Sequence, residues 1–249
     1  MTTDGTRRVA LVTGGTRGLG AAIVARLAAN GVTVAAAYRH DDRAADALRT
    51  ELGPNAVSTY AVDIGDPEAC RSLVDDVVDA HGRIDYLINN AGALVERTVQ
   101  EISASDWNEA LGVNLSAAFF MAQAALAPMR EQRFGRIVNI GSVSGHMGSG
   151  VQVDYAAAKA GLIGLTRSLA RAVARRGITV NCVVPGGFET DLLLDMTRTD
   201  RQVVEAKVPV GRFGRPAELA HIVASLVHDD AAYVTGAVIV VDGGLSMGT

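Results

Sequence analysis

The sequence predicts an α/β chain organised around one doubly wound, seven-stranded parallel sheet. Three observations carry that prediction. Short apolar runs alternate with helical stretches about seven times along the 249 residues, with no repeat, linker or second composition regime. Hydrophobic residues make up 49% of the chain and aromatics only 4%, a balance that suits strands buried on both faces under Ala- and Leu-rich helices. Turns bearing Gly, Asn and Ser follow several of the runs, at the carboxyl edge where open parallel sheets bind ligands.

In chain order, residues 1–6 form a mobile tail and 7–249 a single domain. The apolar run 9–12 stops at a glycine-rich turn, and a helix over 21–30 ends at Gly31. A strand over 32–38 leads to Arg39, His40, Asp41 and Asp42, and a helix over 44–52 is broken by Gly53 and Pro54. The strand 57–62 ends at Asp63 and Ile64, before a helix over 68–81 with apolar residues at 73, 74, 77 and 78. The strand 85–89 runs into Asn90-Ala91-Gly92-Ala93. A long helix over 105–133 opens with Ser105 capped by Asn108 or Glu109 and carries Asn114 among apolar neighbours. The strand 136–141 delivers Ser142, a helix covers 155–176, and the strand 178–184 stops at Pro185-Gly186-Gly187. Residues 188–213 are irregular, rich in Thr, Asp and Arg, and fit a lid over a substrate. A helix over 216–226 and a strand over 236–241 close the chain.

Composition excludes several classes. A net charge of −4 gives no electrostatic reason to expect nucleic acid or an anionic membrane as partner. No uninterrupted apolar run approaches the roughly 18 residues of a membrane span, and the N-terminus lacks the apolar core of a secretory signal. Cys70 and Cys182 lack CxxC spacing and read as buried thiols of a cytoplasmic chain. The five histidines form no ligand-spaced cluster, so no metal is expected.

Three features carry chemistry. Gly14, Gly18 and Gly20 stand between a strand and a helix, where a dinucleotide loop needs a tight turn and close backbone approach to a pyrophosphate. Arg17 and Arg39 place two guanidiniums near the adenosine ribose, which favours NADP(H) over NAD(H) and over the plainer alternative of two solvated surface arginines. Asp63 either binds an adenine amino group or caps the helix after Pro67. Tyr155 and Lys159, at i and i+4, share a helix face. With Ser142 they make a proton donor for a carbonyl, the ammonium lowering the phenol's pKa. On spacing alone a surface Tyr–Lys pair beside a Ser/Gly turn is the better reading, and the rest of the chain gives the pair a task.

Taken together, the motifs resemble the short-chain dehydrogenase/reductase family. They are Thr13-Gly-Gly-Thr-Arg-Gly-Leu-Gly20, Asn89-Asn-Ala-Gly92, Asn114, Ser142, Tyr155-x-x-x-Lys159 and Pro185-Gly186-x-x-x-Thr190, spread from Val9 to Gly244. The resemblance implies a Rossmann-like fold. It implies that Tyr155 protonates a carbonyl oxygen, Ser142 positions that oxygen, Lys159 binds the nicotinamide ribose and depresses the Tyr155 pKa, and Asn114 holds a water linking Lys159 to solvent. The cofactor set is then Gly14, Thr16, Arg17, Gly18, Leu19, Gly20, Arg39, Asp63, Ile64, Asn90, Ala91, Gly92, Tyr155, Lys159, Pro185, Gly186 and Thr190.

Within the family, the stretches 133–142, 155–164 and 208–216 are similar to β-ketoacyl-[acyl-carrier-protein] reductases. That likeness implies a carrier-linked 3-oxoacyl substrate, a homotetramer, and docking of the acidic carrier near the site entrance by Arg133 and Arg176, with Arg130 and Arg175 close by. Ser142, Ser144, His146 and Gln152 are expected to face the substrate, with Met147, Val151 and Asp154 beside them. Asp154 stands where the family pattern has a neutral residue, which leaves the acyl group open. A ketoreductase of a specialised polyketide pathway, an oxidoreductase of free alcohols or ketones, and a catalytically silent nucleotide sensor are the other readings.

Overall fold

The computed structural model describes residues 7–190 and 197–247; the tail expected at 1–6 and residues 191–196 of the expected lid lie outside them. Among the described residues, seven strands form one sheet in the order β3-β2-β1-β4-β5-β6-β7. They are β1 (Val9–Thr13), β2 (Thr33–Tyr38), β3 (Val57–Ala61), β4 (Tyr86–Asn89), β5 (Gly135–Ile140), β6 (Ile178–Pro185) and β7 (Val238–Val241). Every pairing is parallel. The strand order reverses between β1 and β4, so a crevice opens at their carboxyl ends.

Side-chain alternation divides the core in two. Ala10 and Val12 of β1 face α1 (Gly18–Ala29) and α9 (Pro216–Val227), with Ile23, Leu27, Leu219 and Val223 fully buried. Val9 and Leu11 face the other layer, α3 (Pro67–His81), α5 (Ala117–Gln132) and α7 (Val153–Val173). Each strand is thus apolar on both sides, which is why the strands read as unbroken apolar runs. The remaining helices are α2 (Asp42–Leu52), α4 (Ala104–Leu111), α6 (Val143–Met147) and α8 (Arg198–Glu205).

Local chemistry sets the helix ends. Asp66 caps α3 by accepting from the Glu68 N–H at 3.0 Å, Pro67 opens it, and Gly82 closes it at φ +74°. Asp63 is therefore not the cap; it accepts from the Gly65 N–H at 2.9 Å. The cap of α4 is Ser103, in a reciprocal box with Asp106, rather than Ser105. Ser103 lies one turn ahead of the apolar pattern, and its partner carboxylate sits three residues on.

The long helix expected around Asn114 is α4 and α5 joined by a π-helical turn, Gly112–Ser116. Ala104–Gln132 is long and apolar enough, by length and composition alone, to cross a membrane, with mean hydropathy 1.5. This departs from the sequence expectation, because interspersed polar residues hide a high average. In the fold, its Met121, Ala125 and Met129 bury against the sheet layer, while Phe119 is 39% exposed. The second half of the expected lid carries α8, where Arg201 pairs with Glu189 at 2.9 Å and Glu205 at 3.2 Å.

Candidate active site

The crevice between β1 and β4 is a cleft of about 820 Å³. Gly14, Thr16, Arg17, Gly18, Leu19, Gly20, Arg39, Asp63, Ile64, Asn90, Ala91, Gly92 and Thr190 all line it. Gly14 and Gly18 adopt φ of +61° and +53°, which only glycine takes at little cost. A Cβ on Gly20 would collide with the Gly14 carbonyl oxygen. Pro185 and Gly186 do not line the cleft: Pro185 pairs with Val241, and the Gly186 N–H donates to the Val241 carbonyl at 3.0 Å.

Thr13, which opens the glycine motif but had no role assigned to it, ties the two halves of the cleft. Its Oγ1 accepts from the Asn90 and Ala91 N–H groups, both at 3.0 Å. Asn90 Nδ2 donates back to the carbonyls of Thr13 and Gly14 at 2.9 and 3.0 Å. Tyr38, His40, Val62 and Ala93 are further lining residues that the motifs did not single out.

Arg17 and Arg39 reach the same cleft. Arg17 lies 3.8 Å from Asp41 and Arg39 3.9 Å from Asp63, and Arg39 Nε donates to His40 Nε2 at 2.7 Å. Exposed contacts of that length are weak, and a phosphate dianion offers each guanidinium a stronger, bidentate partner. The glycine cradle, the cleft's size and the two arginines therefore fit NADP(H).

Ser142, Tyr155 and Lys159 do not line the cleft either, but they group behind it: a Cβ on the lining residue Gly92 would lie 3.3 Å from Lys159 Nζ. Ser142 follows β5 and caps α6, its Oγ accepting from the Ser144 N–H at 3.1 Å. Tyr155 and Lys159 lie in the first turns of α7. Lys159 is buried, donates to the Ile140 carbonyl at 2.9 Å, and stands 5.6 Å from the Tyr155 ring centre. Desolvation pulls its pKa down to about 8. Burial pushes the Tyr155 phenol above its ordinary value, and a hydrogen bond with Ser142 opposes that rise. The expected depression by Lys159 is not what this geometry produces. The ammonium turns to a backbone carbonyl, and desolvation of the phenolate dominates.

Asn114 stands in the π turn, where the helix is locally rewound. Its Oδ1 accepts from the Ala93 N–H at 3.2 Å, and its Nδ2 donates to the Ala93 and Ala110 carbonyls at 2.9 and 3.0 Å. A Cβ on Gly92 would lie 2.7 Å from Asn114 Oδ1 and 3.3 Å from Lys159 Nζ, so only glycine leaves these groups room.

Of the expected substrate residues, Ser144 and Gln152 come together: Ser144 Oγ donates to Gln152 Oε1 at 2.8 Å. Gln152 Nε2 donates to Glu96 at 3.1 Å, a residue the sequence did not flag. His146 is exposed in the last turn of α6, outside this group. Asp154 does not face the pocket; it is buried in the first turn of α7 and accepts from the Tyr155 N–H at 2.8 Å. A carboxylate there complements the helix dipole.

Arg133 and Arg176 are exposed neighbours, each two residues before the paired Gly135 and Ile178 that begin β5 and β6. Ser142 follows the other end of β5. Nine residues separate it from Arg133, so the arginines lie roughly 25–30 Å from their own chain's hydroxyls. The expected place at the site entrance is therefore wrong within one chain. Strand direction puts the start of a strand and its product turn at opposite edges.

A glycine-cradled cleft with Ser142, Tyr155 and Lys159 grouped behind it is the arrangement of an oxidoreductase of C=O and CH–OH groups. The sequence pattern of the family described as enoyl-(acyl carrier protein) reductase matches residues 14–246. The 3-oxoacyl-[acyl-carrier-protein] reductase FabG of Escherichia coli is 42% identical over 240 residues, covering 96% of this chain and 98% of that protein. The Vibrio cholerae FabG is 41% identical over the same shares. An acetoacetyl-CoA reductase of Rhizobium meliloti is 41% identical over 238 residues, 95% and 98% of the two chains. The chain belongs to the short-chain dehydrogenase/reductase family, and its sheet is the Rossmann-like fold of that family.

Proposed function

We propose that the chain is an NADPH-dependent reductase that converts a 3-oxoacyl thioester, carried on an acyl carrier protein, to the 3-hydroxyacyl product. The observation that carries this reading is the half-buried Tyr155, with Ser142 hydrogen-bonded to it and the Lys159 ammonium 5.6 Å from its ring, behind Gly92 of a cleft that fits the dinucleotide. The names of the relatives, oxoacyl and acetoacetyl reductases, support the substrate class.

The bound cofactor supplies the hydride. Tyr155 gives its proton to the ketone oxygen, and Ser142 holds that oxygen by a hydrogen bond. Lys159 orients the ribose and, as the phenol loses its proton, stabilises the phenolate. Asn114 holds the water through which Lys159 exchanges protons with solvent. Arg17 and Arg39 take the 2′-phosphate. Thr190, which lines the cleft, borders the nicotinamide end. Arg133 and Arg176 dock the acidic carrier. Because they lie at the far edge of their own sheet, they serve the site of a second copy in a homotetramer.

The test is a panel of acetoacetyl-carrier protein, acetoacetyl thioesters and free ketones, each with NADPH and NADH. Carrier-linked and thioester substrates with NADPH are expected to give the highest kcat/KM. Tyr155→Phe is expected to lower kcat by about 10²–10⁴-fold while still binding NADPH. Turnover of free ketones only, or a preference for NADH, refutes the proposal. NADPH binding without oxidation across the panel points to the silent sensor instead.

A further inference from the structure

Glu96, Gln152 and Ser144 form a row of hydrogen bonds that the proton-transfer chemistry does not use. They come from three places at the sheet's carboxyl edge: the loop after β4, the N-cap position of α7, and α6. Ser144 Oγ donates to Gln152 Oε1 at 2.8 Å, and Gln152 Nε2 donates to Glu96 Oε1 at 3.1 Å. The row begins at the reacting centre, because the Ser144 N–H donates to Ser142 Oγ. Its loops are pinned together. The Arg97 N–H donates to the Val151 carbonyl at 3.0 Å, and the Arg97 guanidinium pairs with Asp106 of α4, also at 3.0 Å.

One group sets the direction of the whole row. An ionised carboxylate only accepts hydrogen bonds. The amide nitrogen of Gln152 must therefore face Glu96, and its oxygen must face Ser144. The Ser144 hydroxyl is then committed as a donor. The second Nε2 hydrogen of Gln152 has no partner among the described residues. Without Glu96 the amide is free to flip, since a serine hydroxyl donates and accepts alike.

A 3-oxoacyl thioester carries a second carbonyl one methylene away from its ketone. In the reading above Ser142 holds the ketone oxygen, and Ser144 links Ser142 to Gln152 through its N–H and its hydroxyl. We propose that Gln152 and Glu96 form the subsite for this second carbonyl. The remaining amide hydrogen of Gln152 donates to its oxygen, and Glu96 holds the amide in that orientation. Glu96 also bars a carboxylate from the same place by like-charge repulsion. The site takes neutral 3-oxo thioesters and esters and turns away free 3-oxo acids. Glu96 is in this sense a positioning and specificity residue. The inference rests on the ketoreductase reading above.

The experiment measures kcat and KM with NADPH for the acetoacetyl thioester of N-acetylcysteamine, for free acetoacetate, and for 2-pentanone, which lacks the second carbonyl. The wild type is expected to prefer the thioester to acetoacetate by roughly 100-fold in kcat/KM. In Glu96→Gln that preference is expected to fall about tenfold, the thioester's loss appearing in KM more than in kcat. In Gln152→Ala the thioester should lose about tenfold relative to 2-pentanone, the worth of one hydrogen bond. Glu96→Asp keeps the charge and shortens the reach. It should still exclude acetoacetate, which separates charge from any general disturbance of the loop.

Unchanged discrimination in Glu96→Gln, or equal behaviour of Glu96→Gln and Glu96→Asp, overturns the proposal. So does a parallel fall of thioester and 2-pentanone in Gln152→Ala. A wild type that reduces 2-pentanone but no thioester defeats the ketoreductase reading itself. A wild type that reduces the thioester, with variants that leave selectivity unmoved, defeats only the subsite.

Discussion

At the scale of single residues, Thr13 does the most with the least. One hydroxyl accepts from two backbone N–H groups of the turn after β4 and donates to the Ile88 carbonyl at 3.4 Å, while the residue is only 1% exposed. Thr13→Val keeps the shape and removes the acceptor, leaving two N–H groups unpaired. We expect a loss of about 1–3 kcal/mol in stability, read as a lower melting temperature, together with weaker NADPH binding in a titration. Thr13→Ser should restore both, and failure of that rescue would assign the loss to the methyl group. Tyr155 gives the second residue-scale point: burial raises its pKa while the hydrogen bond with Ser142 lowers it.

At the scale of elements, the distance between Ser142 and Tyr155 is set by how closely α6 approaches α7. Gly145 makes that approach possible: a Cβ there would lie 2.6 Å from the Ala160 nitrogen and 2.7 Å from Lys159 Cβ. Gly145→Ala must push the two helices apart. The expected cost is about 1–3 kcal/mol of overpacking, with kcat falling more than KM because the serine and the phenol move relative to each other. Steady-state kinetics beside a thermal melt checks this; an unchanged kcat would mean that α6 does not set the spacing. The π turn at Asn114 acts at the same scale. It aims one side chain back at Ala93 and so fixes the loop that carries Glu96.

At the scale of the molecule, the outer faces of α5 and α7 remain open, with Phe119 at 39% exposure. Arg133 and Arg176 lie at the edge of the sheet opposite their own Tyr155. If carrier docking runs between copies, mixed assemblies report it. Copies bearing Tyr155→Phe retain the arginines, and copies bearing Arg133→Glu with Arg176→Glu retain the proton donor. Co-expressed, the two are expected to recover carrier-dependent turnover that neither has alone. Mixed assemblies that form but stay inactive would return docking to the chain that carries the site.

The sequence by itself determined the layered fold, because strands buried on both faces read as apolar runs and glycine punctuates their ends. The turn from Gly14 to Gly20 and the Tyr155–Lys159 pair were legible too, because their spacings are local to one turn or one helix, whereas Ser142 caps a separate helix and meets them only in the fold. Only the tertiary structure decided the rest. Thr13 meets Asn90 across 77 positions, and Gln152 meets Glu96 across 56. No local pattern encodes such contacts, because parallel strands bring their loops together through crossovers of many residues. Asp154 shows the same limit from the other side: its position beside Tyr155 suggested the pocket, and helix packing buried it. The direction of β5 separated Arg133 from Ser142, since a strand fixes which residues share an edge and which stand a sheet's width apart.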